Sequence, residues 1–182
     1  MILNAKNNNF RVELASNFFN DDIIKKYEFV LKRLPSPWKS IRNYINAGIQ
    51  EFSLPSISLP VAEQYNLHNP TTPWKGKGNM EFNIDKEFSI TFKLYEGFIN
   101  YWILLEHLEW FYQYTTRAQV FPNTYLSFLD NLGYELICYK FGRVLFTGIS
   151  ELNLSFSSNI PEFKTFTCDF RYTNMDVLRR LQ

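Results

Sequence analysis

The side chains best able to do chemistry are few. Glu106 and Glu109 stand three apart with His107 between them, and the other histidine is His68. On a helix, two carboxylates at that spacing lie on one seam, near enough to share a metal ion or a proton. Nothing else joins them in register. Glu106-His107 lacks the second histidine of a His-Glu-x-x-His helix, so a zinc protease is not indicated. Cys138 and Cys168 are thirty positions apart, with no Cys-x-x-Cys pair to close a structural zinc site. Lys75-Gly76-Lys77-Gly78 contains glycine but is neither a Walker loop nor Gly-x-Gly-x-x-Gly, and there is no Gly-x-Ser-x-Gly elbow. The expectation is therefore a solvated carboxylate seam and a histidine at the helix surface or an interface. Both cysteines are expected as buried free thiols, with a disulfide between adjacent strands left open. No metal, no cofactor and no catalytic centre is expected, although an active site can assemble from distant positions.

Glu106, His107 and Glu109 fall in the stretch the chain is organised around, Met80 to Tyr114. In Phe88-Ser89-Ile90-Thr91-Phe92-Lys93-Leu94, large apolar residues alternate with small or charged ones, which predicts a strand with one face buried. After Glu96-Gly97 the pattern changes to a run from Phe98 to Tyr114 that winds as a helix at about 100° per residue. Two apolar stripes result. Tyr101, Leu104, Leu105, Leu108, Phe111 and Tyr112 form the broader; Ile99, Ile103, Trp110 and Tyr114 form the second. Polar seams divide them, Glu106, Glu109 and Gln113 on one side and Asn100 and His107 on the other. A surface helix of a monomer shows one stripe. Two predict a helix that lies on its own sheet and offers its back to a neighbour, with burial inside its own domain as the other reading. The interface expected on this basis comprises Ile99, Ile103, Trp110 and Tyr114, together with His68 and Trp74 from the segment 61–78. Interrupted by five polar residues, two of them Glu, the run is not a membrane span.

With 182 residues the chain is read as one domain, 1–182. Aromatic residues make up 18%, including 18 Phe and 11 Tyr, and such side chains favour pleated, half-buried surfaces. The net charge of +1 provides no global field to attract nucleic acid or an anionic membrane. The apolar run at the N-terminus is too short for a signal peptide, so synthesis and folding in a cytoplasm are expected.

Residues 1–9 read as a flexible arm, and Phe10–Leu14 as a short strand. A helical insertion spans 20–45: Asn20-Asp21-Asp22 provides a cap and an acidic first turn, Ile23, Tyr27, Val30, Leu31 and Leu34 follow at helical spacing, and Pro35 and Pro37 end it. Gln50–Leu54 and Ser56–Leu59 are strand-like pieces closed by Pro55 and Pro60, which suits an edge. Segment 61–78 reads as a long surface loop and 115–131 as irregular. Strands are predicted at 134–141, 143–148, 149–157 and 163–172, and a short helix in the tail 173–182. The fold class is α+β, mainly β: an antiparallel sandwich or barrel with one packed central helix.

Four pieces in this order carry a resemblance: Phe52-Ser-Leu-Pro-Ser-Ile-Ser-Leu-Pro60, Phe88–Trp110, Gly148-Ile-Ser-Glu-Leu-Asn-Leu-Ser-Phe-Ser-Ser-Asn159, and Phe166-Thr-Cys-Asp-Phe-Arg-Tyr172. Over residues 47–173 the chain resembles the phage tail tube proteins of the contractile-tail type, relatives of the type VI secretion tube protein. The resemblance implies hexameric rings of this chain, stacked into a hollow tube that conducts DNA or an ejected protein without sequence-specific binding. It also implies other tail or baseplate proteins as partners, no membrane, and a place in a virion tail assembled in the host cytoplasm. Two departures stand out. Asn20–Leu34 and Trp38–Tyr44 look inserted, and the chain is near neutral where that family's channel is often acidic. Both leave room for a tube initiator, a tail terminator or a baseplate ring component. The competing classes are a monomeric β-barrel binding a small ligand or peptide and, third, an enzyme built on Glu106, Glu109 and His107.

Overall fold

The computed structural model describes residues 9–33, 40–54, 61–66, 69–75, 86–114, 122–152 and 164–179. Its strands are β1 (Phe10–Leu14), β2 (Ile49–Ser53), β3 (Val61–Asn66), β4 (Asn69–Lys75), β5 (Glu87–Lys93), β6 (Thr124–Leu129), β7 (Glu135–Gly142), β8 (Leu145–Ile149), β9 (Thr165–Arg171) and β10 (Asn174–Arg179). Three α-helices accompany them: α1 (Asp21–Arg33), α2 (Ile41–Ala47) and α3 (Ile99–Tyr114). One sheet has the order β1-β6-β7-β10 and the other β2-β5-β9-β8, while β3 and β4 pair as a separate ribbon. Every recorded pairing is antiparallel. The architecture is an open sandwich of two four-stranded sheets with helices; among the described residues neither sheet closes into a barrel.

The alternation in β5 does what period two requires. Phe88, Ile90 and Phe92 are buried, opposite Phe170, Cys168 and Phe166 of β9. Facing rings stack, Phe88 on Phe170 at 5.2 Å and Phe92 on Phe166 at 5.4 Å. The first sheet meets this layer through Phe141, whose ring lies 4.9 Å from Phe88, 5.6 Å from Phe52 and 5.1 Å from Tyr172. Each such ring is worth about 1.5–3 kcal/mol of burial, so these rings hold the two layers together.

Several expectations change. The segment 61–78 is a β-hairpin over 61–66 and 69–75 where a loop was expected. Pro73 sits opposite Glu63, which a two-stranded ribbon allows because both of its strands are edges. The stretch 115–131 contains β6, with Leu126 buried between Val12 and Tyr139. The tail forms β10, paired along β7, where a helix was expected. β7 and β8 are not a hairpin: Gly142 ends a strand of one sheet and Leu145 begins a strand of the other. Asn9, assigned to a flexible arm, accepts from the Leu129 N–H and donates to Asn131. The rest of that arm, and residues 153–157 of the predicted 149–157 strand, lie outside the described residues.

The helical stretch 20–45 forms α1 and α2, and it belongs to the core. Val30, Ile41, Tyr44 and Ile45 are buried. Asn20 caps α1 by accepting from the Asp22 N–H at 2.8 Å, and Ser40 caps α2 by accepting from Asn43 at 3.2 Å. Between β5 and α3 the chain turns through Gly97 at φ +71°, a conformation that glycine adopts without strain.

Candidate subunit interface

Helix α3 buries the side the sequence reading assigned to a polar seam. Asn100, Ile103, Leu104, His107 and Phe111 are all buried, and their spacing of three and four residues places them on one face. The two polar residues are tolerated there because each is hydrogen-bonded. Asn100 accepts from the Tyr95 N–H at 3.1 Å and donates to the Lys93 carbonyl at 2.7 Å, tying the helix start to the end of β5. His107 has Nδ1 2.6 Å from the Ile103 carbonyl, and its Nε2 accepts from the Asn20 N–H at 3.1 Å. Its ring is stacked on Phe18 and meets Phe19 edge-on. Burial therefore draws its pKa below the ordinary imidazole value, against the opposing pull of Ile103 and Glu106. The surface or interface position expected for His107 is corrected to a core position.

The carboxylate seam is likewise occupied. Glu106 accepts from Lys26 Nζ at 2.5 Å and from the Tyr27 hydroxyl at 2.7 Å, which pins α1 onto α3. Burial alone would raise the Glu106 carboxyl, but these hydrogen bonds and the Lys26 charge outweigh it and hold the group below its usual range. Glu109 is exposed. Among the described residues no group of three or more His, Cys, Asp or Glu is placed to hold a metal ion. Cys138 and Cys168 are free, buried and in different sheets. Burial, with Asp169 adding to it, pushes the Cys168 thiol well up. No described helix is long and apolar enough to cross a membrane.

Ile103 is corrected most sharply. It is fully buried in its own subunit, so it offers nothing to a neighbour. Ile103→Ser is expected to cost about 2–5 kcal/mol, seen as a lower urea midpoint of the isolated chain and not as an assembly defect in a folded one. Ile99 and Trp110 are half-buried against the core, Trp110 edge-on to Phe111 at 5.1 Å. Tyr114 ends α3, and Trp74 lies on β4 opposite Ala62. His68 lies outside the described residues. Of the expected interface residues, Ile103 is thus removed by burial, and Ile99 and Trp110 keep only part of their surface outside the core.

A different α3 surface is presented outward. Phe98 and Trp102 are exposed, Leu105 is half-buried, and Glu109 and Tyr112 are exposed, with Trp102 at 51% and Tyr112 at 87%. Residues 102, 105, 109 and 112 follow the spacing of a single helical stripe opposite the buried one, while Phe98 belongs to the turn that precedes the helix. Trp102 fell in neither stripe of the sequence reading. The signal was available: once 100, 103, 104, 107 and 111 are taken as the inner face, 102 and 112 must point away.

The β6–β7 turn provides a second exposed apolar feature, Leu132 at 81% and Tyr134 at 69%. It is held in shape by Asp130 Oδ1, which accepts from both the Leu132 and Tyr134 N–H groups at 2.8 Å, and by Gly133 at φ +88°. Among the described residues no strand pairs with the outer sides of β1 and β10 in one sheet or β2 and β8 in the other. Such edges are templates for another chain. Two open grooves of about 650 Å³ lie at the surface, one with Phe10, Phe52, Leu126 and Phe128 in its walls and the other crossed by Glu87 and Arg171, which form an ion pair.

No protein-family model matches the sequence, and no curated protein matches it. Solved structures do. The chain is similar to a protein of the anti-feeding prophage baseplate, symmetrised six-fold, with 14% identity and a TM-score of 0.61 over 100% of both chains. It is also similar to a protein of that prophage's tube-terminating cap, at 10% identity and a TM-score of 0.58, covering 98% of this chain and 93% of the other. A third likeness is to a protein of the PVC sheath–tube complex of an extracellular contractile injection system, at 10% identity and a TM-score of 0.57, covering 97% and 92%. The fold of this chain is thus one found in the baseplate, the tube-terminating cap and the sheath–tube complex of such injection particles.

Proposed function

We propose that the chain is a structural ring subunit of a contractile tail or injection particle, a tube protein or a tube-like initiator, terminator or baseplate ring. It works without catalytic turnover. The observation that carries this reading is the pair of four-stranded antiparallel sheets, each ending, among the described residues, in two unpaired edge strands. With an even number of antiparallel strands the edge strands run in opposite directions. A copy rotated about an axis along the strands therefore brings its β1 antiparallel to β10, and its β2 antiparallel to β8. Repetition closes a ring and removes the edges of both four-stranded sheets. The likeness to a protein of a six-fold symmetrised baseplate supports six copies.

In this arrangement Trp102 and Tyr112 of α3, with Phe98 just before the helix, pack on the adjacent subunit, and Trp74 and His68 are assigned to the same interface. The turn carrying Leu132 and Tyr134 contacts the next ring. DNA or an ejected protein passes through the centre without sequence-specific binding, in keeping with the net charge of +1. The particle is a virion-like tail put together in the host cytoplasm.

Light scattering combined with negative-stain microscopy tests this directly. Rings or short stacks with an open centre are expected as concentration rises. A monomer at every concentration, also after addition of preformed rings as initiators, rules the ring reading out and leaves a ligand-binding monomer to be examined.

A further inference from the structure

We propose that His107 is an acid-sensitive catch for helix α1: a second proton on its ring opens the contact between α1 and α3 while the two sheets stay folded. This inference is independent of ring assembly.

The geometry leaves one protonation state. A backbone carbonyl can only accept, so the 2.6 Å contact with Ile103 places a proton on Nδ1. A backbone N–H can only donate, so the 3.1 Å contact from Asn20 requires a bare Nε2. The next proton must therefore land on Nε2, where it meets the Asn20 N–H head-on. Two donors then face each other with Phe18 stacked on the ring and Phe19 against its edge, and the residue is fully buried. An unsatisfied donor in such a place is costly, so the contact has to break.

The weaker side yields. Helix α3 is held by Ile103, Leu104 and Phe111 in the core and by Asn100 at its start, whereas among the described residues α1 buries Val30 and packs Ile24 and Tyr27 only half-buried against the core. Asn20 caps α1, with its side chain accepting from Asp22 and its carbonyl from the Ile24 N–H, so moving Asn20 moves the helix start with it. The charged surroundings do not prevent this. Glu106 on α3 favours the imidazolium, but Lys26 of α1 already engages Glu106. Beyond Asn20, Asp21 is paired with Arg42 of α2. From β8 and β9, the groups behind Phe18 are the uncharged rings of Phe146 and Phe170. Burial lowers the proton affinity of the docked ring. In the released state the imidazole titrates near its ordinary value of about 6.5. Docking is thus strongest above that value and weakens as pH falls toward the lower docked value, by at most about tenfold per pH unit for one proton.

Two measurements decide the matter. Long-range nitrogen–proton spectra of the His107 ring are expected to show the Nδ1–H form at neutral pH. Amide exchange, corrected for the intrinsic pH dependence, is expected to show α1 opening up to about tenfold more for each pH unit below about 6.5, with Phe88–Phe92 of β5 unchanged. Glu106→Gln is expected to loosen α1 at all pH values and keep the slope; His107→Gln removes the slope. An Nε2–H ring, a flat α1 profile in the unaltered protein, or a slope that survives in His107→Gln overturns the proposal. Should His107→Gln not fold, the ring titration of the unaltered protein decides, because the midpoint of α1 opening must coincide with it.

Discussion

Replacement of Phe141 by alanine is expected to cost about 3–5 kcal/mol of folding stability. Phe141 is fully buried and is the ring by which the β1-β6-β7-β10 sheet meets the other: Phe52 and Phe88 lie on the far side of the contact and Tyr172 at the crossover. Its removal leaves a cavity that two sheets, each braced by its own hydrogen bonds, cannot collapse to fill. A domain is typically stable by only about 5–15 kcal/mol, so much of the margin disappears. Urea unfolding of the isolated chain measures the loss through the midpoint at unchanged slope. Tyr112→Ala is the matching control: at 87% exposure it should stay within about 0.5 kcal/mol of the parent. A Phe141→Ala chain as stable as the parent would mean that the two sheets do not share one core.

The second large effect concerns assembly. Trp102→Ala together with Tyr112→Ala is expected to weaken association by about 30-fold or more per contact, the consequence of losing about 2 kcal/mol at a buried aromatic anchor. In a ring the loss recurs at every junction, so closed particles should vanish at concentrations where the parent forms them. The positions suit the test because Trp102 and Tyr112 are exposed in the single subunit, and their removal leaves the core intact. Sedimentation gives the oligomer distribution and circular dichroism confirms the fold. Undiminished rings from the doubly substituted chain would remove α3 from the interface and leave the sheet edges and the Leu132–Tyr134 turn to hold the ring. Conversely, Ile103→Ser reports on folding, because that side chain never reaches a neighbour.

How much of this was legible follows from the period of each element. The strand over 88–94 and the strand over 163–172 were readable because alternation continued long enough to define a face, and they pair residue by residue as β5 and β9. The cap and acidic turn of α1 were equally local, set by Asn20 and its nearest neighbours. The hairpin at 61–75, β6 and β10 were not readable. Proline in the first, the Pro122-Asn123 break before the second and the Val177-Leu178-Arg179 run in the third each disguise an extended segment whose reason for being extended is its partner strand. Strand propensity describes fitness for a pleated surface more than an intrinsic preference, so such segments declare themselves only beside their neighbours.

The candidate site divides in the same way. Residue order alone established an aromatic, mainly β chain with one apolar helix and no metal or nucleotide motif. It could not establish which side of that helix is inner. Two polar residues, Asn100 and His107, lie in the middle of the buried face, and a hydrophobic pattern treats them as a seam facing water. Tertiary structure reverses the assignment because distant groups satisfy them: the Lys93 carbonyl and Tyr95 N–H for Asn100, and the Asn20 N–H for His107. A buried polar side chain is acceptable only where its hydrogen bonds are made. Partners that lie across the fold are invisible in the spacing of the helix itself, and with them the outward face of α3, with Trp102 and Tyr112 on it, passes from one side of the helix to the other.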